Sequence, residues 1–246
     1  MSVDMTIDLK RTNQELAEVD ALARVRWAAE TFGAGVVLLS SMQRTSSVLM
    51  HLLHRAGLDN EVLFVDTGFH FHETLTLRDE FIRRFGLNVV TLYPESTPEQ
   101  QEEKFGCKLY KSVDGQPICC ELRKGKAFLD YITTTGRTAV FGGLRRSEGG
   151  PRAYLDVVGE DPRFGGYRVH PIVDWDDGML DAYLAEYDVP VHPLHGRCFP
   201  SIGCQCCTTA VYPGEDSRAG RWRHLREGDD AGPVYCGLNF SDGSGI

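Results

Sequence analysis

Three thiols crowd into four positions of the stretch SIGCQCCTTAV (201–211): Cys204, Cys206 and Cys207. Far upstream, Cys119 and Cys120 stand side by side. Thiols so spaced can form disulfides, hold zinc, ligate an iron–sulfur cluster or fill a core. The N-terminus, MSVDMTIDLKRTNQELAEVD, lacks the charged-then-apolar profile of a secretion signal. A reducing, cytoplasmic compartment is therefore expected, and there a disulfide framework is disfavoured. Core packing suits Cys107 and Cys198, because a lone cysteine usually behaves as a small buried hydrophobe. It suits neighbouring thiols poorly, since they rarely both point into one core.

A structural zinc accepts four thiolates, yet two adjacent side chains converge awkwardly on one tetrahedral ion. A cubane cluster removes that difficulty, because each iron takes its own thiolate. The chemistry favours the cluster and leaves zinc open. Cys204 and Cys207 are the preferred pair downstream, since their spacing lets both side chains turn inward. Cys206 is able to replace either. Cys236 stands apart in YCGLNF, near a glycine-rich end whose position suits movement. Upstream of it, SRAGRWRHLR sets Arg218, Arg221, Arg223 and Arg226 close together. Guanidinium groups lower the pKa of a nearby thiol and hold anions. The competing reading is a solvated basic face beside an incidental cysteine.

The 246 residues carry a formal net charge of −9, which argues against a broad nucleic-acid or membrane surface but leaves room for a local basic pocket. No apolar run reaches the roughly 20 residues that span a bilayer. We expect no nucleic-acid partner, no membrane partner, and a homo-oligomer.

The elements that must position these groups follow from periodicity. Residues 13–32 carry Leu16, Val19, Leu22, Ala23 and Trp27 at helical spacing. GVVLLSS (35–41), VLFVDTG (62–68), NVVTLY (88–93) and TAVFGG (138–143) read as buried strands. YRVHPIVDW (167–175) reads as a strand and its connection. Helices are predicted over 45–57, 72–86 and 177–188, and a basic, glycine-rich loop over 145–152. The alternation predicts an α/β fold with a parallel twisted sheet covered by helices on both faces. Ligands of such sheets bind beyond the carboxyl ends of the strands, where Ser40-Ser41 and Asp66-Thr67-Gly68 fall. From residue 190 onward regular structure is hard to assign. The expected organisation is a helical segment (1–32), a nucleotide-binding α/β region (33–195) and an irregular cysteine-rich segment with a catalytic tail (196–246), all in one domain.

Several stretches then line up in order: LLSSMQRTSSVLMHLL, LFVDTGFHFHET, CCELRK, GLRRSEGGPRA, HPIVDW, LHGRCFPSIGCQCCTTAV, GEDSRAGRW and CGL. Together they resemble the adenylyl-sulfate and phosphoadenylyl-sulfate reductases of assimilatory sulfate reduction. The resemblance implies an adenine-nucleotide α-hydrolase-like, Rossmann-related fold and a 4Fe–4S cluster on Cys119, Cys120, Cys204 and Cys207. It implies reduction of adenylyl sulfate (APS), with its 3′-phosphorylated form (PAPS) as the alternative substrate. Cys236 becomes the nucleophile, and a separate thioredoxin or glutaredoxin the reductant. The phosphosulfate loop falls on Ser40, Ser41, Met42, Gln43, Arg44 and Thr45, and the adenine edge on Val65 and Asp66. Lys124, Gly142, Arg152, Arg218 and Arg221 complete the implied substrate site, with Arg145 and Arg146 as further basic neighbours. An ATP-pyrophosphatase-type sulfur-transfer enzyme acting on nucleic acid is a rival, but its SGGxDS loop is absent here.

The chain departs from the family pattern in three places. Met42 and Gln43 occupy a loop that usually contains glycine, and Arg44 beside them is able to read a 3′-phosphate. Tyr235 and Asn239 replace the usual glutamate and histidine around Cys236. Cys206 stands where many members carry proline.

Overall fold

The computed structural model describes residues 7–226. Cys236, Tyr235 and Asn239 lie outside the described residues. Short runs of β-branched and leucine residues form β1 (Val36–Ser40), β2 (Val62–Val65), β3 (Val89–Leu92) and β4 (Ala139–Phe141). A hairpin adds β5 (Val158–Asp161) and β6 (Gly166–Val169). The strand order is β3-β2-β1-β4-β6-β5, parallel throughout except for the antiparallel β5–β6 pair. Side chains alternate across the pleat. Val36, Leu38, Val62 and Phe64 enter one core, whereas Val37, Leu63, Val65 and Val140 enter another.

Both faces are thus covered, which is why these strands read as unbroken apolar runs. On the first face lie α2 (Ala21–Phe32), α3 (Arg44–Ala56), α4 (His72–Phe85) and α8 (Asp177–Glu186), through residues such as Val25, Leu49, Phe81 and Leu180. On the second lies α7 (Lys126–Thr135), through Phe128 and Ile132. Among the described residues no helix is long and apolar enough to cross a membrane.

The helix expected over 13–32 is two helices. Asp20 accepts a 2.7 Å bond from the Ala23 amide and starts α2 afresh after α1 (Leu9–Ala17). Between β3 and β4 the chain adds α5 (Pro98–Phe105), α6 (Gly115–Cys120) and α7, none of which the periodicity predicts. The first has local signals: Thr97 and Gln100 form a capping box, and Pro98 takes the first turn.

The unpredicted strand β5 is pinned by charge. Asp161 is fully buried and accepts from Arg163 Nη2 at 2.6 Å and Arg168 Nε at 2.7 Å. Burial opposes its ionisation, but the two guanidinium groups prevail and hold the carboxyl well below its usual range. A depressed folded-state pKa stabilises the fold above the ordinary carboxylate value and ceases to do so as pH falls through the folded value. Asp161→Asn should therefore lower stability by about 3 kcal/mol at neutral pH, through loss of the charge-assisted hydrogen bonds between the buried carboxylate and the two guanidinium groups. Urea unfolding at neutral and acidic pH checks this, and the loss should shrink as the wild-type carboxyl protonates.

Candidate functional site

Two cavities open beside one another at the carboxyl end of the sheet. Three segments supply the thiols of the smaller one and their contacts, and the turn Leu109–Lys111 adds Tyr110. Helix α6 ends on Cys119-Cys120 and runs into a π-helical turn, Glu121–Gly125, before α7. Such turns recur at functional sites because the inserted residue re-aims side chains. The loop after β2 supplies Thr67 and Phe69. The third segment is a 3-10 turn, Gln205–Cys207, whose Gln205 amide donates to the Phe69 carbonyl at 2.7 Å. In consequence Cys119, Cys120, Cys204, Cys206 and Cys207 all line one cavity, together with Phe69, Tyr110, Gln116, Arg123 and Lys124. The four proposed ligands are buried and Cys206 is half-buried.

Every one of the four sulfurs has a polar contact. Gln116 Nε2 donates to Cys120 Sγ at 2.9 Å, and Gln101 Nε2 to Cys119 Sγ at 3.6 Å. Thr67 Oγ1 lies 3.4 Å from Cys204 Sγ, and Cys206 Sγ 3.7 Å from Cys207 Sγ. Burial pushes the Cys119 thiol up. Cys207 is pushed up further, first by its bond with Cys206 and then by burial. These groups stay protonated at neutral pH until something electrophilic takes the proton's place.

Among the described residues, no group of three or more His, Cys, Asp or Glu side chains stands in position to hold a metal ion. The sulfurs ring a narrow space of about 10 Å³ instead, so binding a metal group requires them to turn. Among the described residues, no carboxylate and no imidazole lines the cavity, and two cationic residues join the five thiols there. That chemistry fits an anionic, thiolate-held iron–sulfur cluster.

The larger cavity, about 650 Å³, is large enough for a nucleotide and lies beyond β1, β2 and β4. Ser40, Ser41, Gln43, Arg44 and Thr45 line it from the β1–α3 turn, and Val65 from the end of β2. The first turn of α3 faces it, a position where backbone N–H groups and the helix dipole favour an anion. Gly142 and Arg152 line it from the segment after β4, and Arg218 and Arg221 from the C-terminal side. Lys124 lines both cavities, the one residue among the described residues to do so.

Met42 and Asp66 do not line the cavity. Met42 takes a left-handed φ of 56°, its amide donates to Ser40 Oγ at 3.2 Å, and its side chain is fully buried in the core. It makes the turn whose flanks face the cavity. Asp66 Oδ1 accepts from the Gly68 amide at 2.9 Å and shapes the loop after β2. Gly142 allows close approach: a Cβ there would fall 2.7 Å from His170 Cε1.

The C-terminal arginines are carried by a short antiparallel contact. Thr208 bridges to Arg221, Gly220 O accepts from the Thr209 amide at 2.9 Å, and Cys207 O accepts from the Trp222 amide at 2.9 Å. Arg221 is buried, stacks 4.4 Å over the Trp222 ring and donates to Ile202 O at 3.3 Å. One segment thereby supplies thiols to one cavity and guanidinium groups to the other.

Composition alone does not disclose the cavity's charge. Arg44, Lys124, Arg145, Arg152, Arg168, Arg218 and Arg221 line it against two acids, Glu148 and Asp177, in a chain of net charge −9. Both acids pair with Arg145, and Glu148 also with Arg152. Arg146 donates outward to Leu155 O at 2.7 Å and is not a lining residue.

Sequence reading missed Arg168, His170, His195 and the sulfur contacts of Gln101, Gln116 and Thr67. Arg123 was also missed, although it follows Cys119 by one helical turn and so shares its face. Cys107 and Cys198, expected in the core, are exposed. Each sits just past a chain reversal, Cys107 after the left-handed Gly106 and Cys198 itself at φ 63°, where side chains point outward.

Residues 35–210 match the family model described as phosphoadenosine phosphosulfate reductase domain. A Streptomyces coelicolor protein named adenosine 5′-phosphosulfate reductase is 40% identical over 87% of this chain and 88% of its own length. A Halalkalibacterium halodurans protein of the same name is 34% identical over 97% of this chain and all of its own. Among solved structures, a phosphoadenylyl-sulfate reductase from Candida auris, in a phosphate complex, superposes with a TM-score of 0.75 at 22% identity, covering 86% of this chain and 100% of its own. Yeast FAD synthetase superposes with a TM-score of 0.54 at 16% identity, covering 85% of this chain and 70% of its own. These two likenesses show the same α/β fold.

Gly203 packs directly under Arg221, and a Cβ there would lie 2.3 Å from its Nη2. Gly203→Ala should displace that guanidinium and weaken anion binding by about tenfold, the worth of one charge-assisted hydrogen bond. The check is the thermal stabilisation produced by inorganic pyrophosphate, which should need correspondingly more ligand in the variant.

Proposed function

We propose that this chain, which belongs to the phosphoadenosine phosphosulfate reductase family, reduces adenylyl sulfate to sulfite and AMP in assimilatory sulfate reduction. The observation that carries this reading is the juxtaposition of the two cavities. A cation-rich, nucleotide-sized pocket abuts a thiol-lined one, with Lys124 on the wall between them. The names of the relatives supply the substrate.

In this reading the adenine lies at the end of β2 near Val65, and the first turn of α3 with Ser41 and Thr45 receives phosphosulfate oxygens. Gly142 gives the backbone room to approach the nucleotide, and Arg152 adds positive charge. Lys124, Arg218 and Arg221 offset the negative charge around the sulfuryl group. Thiolate Cys236 attacks the sulfuryl sulfur, the bond from sulfur to the bridging oxygen breaks, and AMP leaves with the electron pair. Cys236 then carries a sulfonate. A thioredoxin- or glutaredoxin-type dithiol supplies the two electrons. One of its thiolates attacks Cys236 Sγ, sulfite leaves, and the second thiolate resolves the mixed disulfide. A 4Fe–4S cluster on Cys119, Cys120, Cys204 and Cys207 would supply a fixed anionic and structural element beside the pocket, without relaying electrons. The setting is a reducing cytoplasm.

The preference for the unphosphorylated ribose has its own support. Arg44, the side chain able to read a 3′-phosphate, is ion-paired with Asp181 on α8. An ion-paired guanidinium offers a second phosphate less attraction than a free one.

Mass spectrometry of the intact anaerobic protein after addition of adenylyl sulfate tests the reaction class. A sulfonate on Cys236 is expected, and it should disappear with release of sulfite when thioredoxin is added. Cys236→Ser should abolish both while leaving AMP binding unchanged. Absence of the adduct from active wild-type enzyme contradicts the mechanism. Asp181→Asn should free Arg44 and raise kcat/KM for the 3′-phosphorylated nucleotide several-fold relative to adenylyl sulfate, read by direct competition of the two substrates.

A further inference from the structure

Arg123 is 2% exposed, and among the described residues no carboxylate lies within salt-bridge distance of it. Among the described residues its guanidinium donates to neutral oxygens: Thr67 O at 2.5 Å, Gln101 Oε1 at 3.1 Å and Ser96 O at 3.1 Å. It also sits 5.1 Å from the Phe69 ring centroid. Gly68 closes over it, for a Cβ there would come within 3.3 Å of Nη2 and 3.0 Å of the Pro98 ring. A buried, formally charged group without a counter-ion is strongly disfavoured. The charge is buried against the thiols, since Arg123 lines their cavity.

The hydrogen bonds of this side chain lead to both halves of the thiol set. Gln101 accepts from Arg123 through Oε1, which fixes the amide so that Nε2 faces Cys119 Sγ. Thr67 accepts from Arg123 through its carbonyl, while its hydroxyl contacts Cys204 Sγ. One guanidinium thus orients the hydrogen-bond partner of a cysteine from the 119–120 pair and of one from the 204–207 segment. Without it, the Gln101 amide is free to rotate and the Thr67 loop loses its anchor.

The geometry points to Arg123 as the buried counter-charge and positioning residue of the metal centre, joining Gln101 and Thr67 into one outer shell around Cys119 and Cys204. This inference rests on the reading that those thiols hold a cluster. It assigns Arg123 a task separate from that of its neighbour Lys124, which also faces the nucleotide pocket. Removing a cation beside an anionic cluster disfavours the reduced, more negative state, so the reduction midpoint must move to lower potential. Outer-shell losses of this kind typically cost about 10- to 100-fold in metal affinity.

The test uses the full chain, purified anaerobically, as wild type, Arg123→Met, Arg123→Lys and Gln101→Leu. Iron and sulfide content, the rate of iron loss to a chelator and the cluster's reduction midpoint are measured, with circular dichroism to verify folding. Arg123→Met should lose iron at least tenfold faster than wild type, with a midpoint displaced to more negative potential. Arg123→Lys should keep the midpoint near that of wild type but still lose iron faster, because charge returns without the forked hydrogen bonds. Gln101→Leu should alter the cluster spectrum while keeping the iron. If Arg123→Met does not fold, the other two variants decide. Wild-type midpoints, spectra and iron-loss rates in the folded variants would overturn the role, since a clamp acting only on the loops leaves these readouts unmoved. A wild-type chain that takes up no iron overturns the cluster reading and this role together.

Discussion

The site depends on joining two stretches of chain that are far apart in sequence, and a few backbone bonds at the sheet's carboxyl end accomplish this. The Gln205 amide reaches the Phe69 carbonyl at 2.7 Å, and the Ile202 amide reaches Gln43 Oε1 at 3.1 Å. These two contacts lay the cysteine-rich segment across the loops after β2 and β1. The thiols of 204–207 are thereby set against those at the end of α6, and Arg218 and Arg221 line the larger cavity. Parallel strands place all their carboxyl-end loops on one side, so the architecture itself gathers these loops.

Electrostatics decides how the two cavities relate. A chain of net charge −9 concentrates seven cationic residues around one pocket and, among the described residues, sets two acids against them, both already paired. The wall between the cavities carries positive charge on both of its residues from the π-helical turn, Arg123 toward the thiols and Lys124 toward both spaces. Under the proposed function this wall is what permits an anionic cluster and an anionic nucleotide to lie close together.

Much of this was legible in the chain. The four strands β1 to β4 announce themselves because burial on both faces demands continuous apolar residues, and the intervening helices α3 and α4 end on Gly57 and Gly86 in the left-handed conformation. The strand β5 was not legible, since VGED carries two acids and owes its place to the pairing of Asp161 with two arginines rather than to hydrophobic pattern. Helix α6 was hidden for a similar reason: GQPICC is short and packs through thiols rather than through an amphipathic stripe. Residue types picked out the thiols and most of the cavity's cations. Met42 shows the limit of loop-level reading, because a left-handed turn sends its side chain into the core while its neighbours face the pocket. The outer shell of Thr67, Gln101 and Arg123 exists only through contacts between distant segments, and no local pattern announces it.

The most direct test of the central claim, that these thiols hold one polynuclear iron–sulfur centre, is X-ray absorption at the iron and zinc edges of the anaerobically isolated chain. The account predicts iron with a sulfur shell and a second shell of neighbouring iron atoms, diminished when Cys119 or Cys204 is replaced by serine. Zinc in a sulfur shell with no metal neighbour, or no bound metal at all, would contradict it.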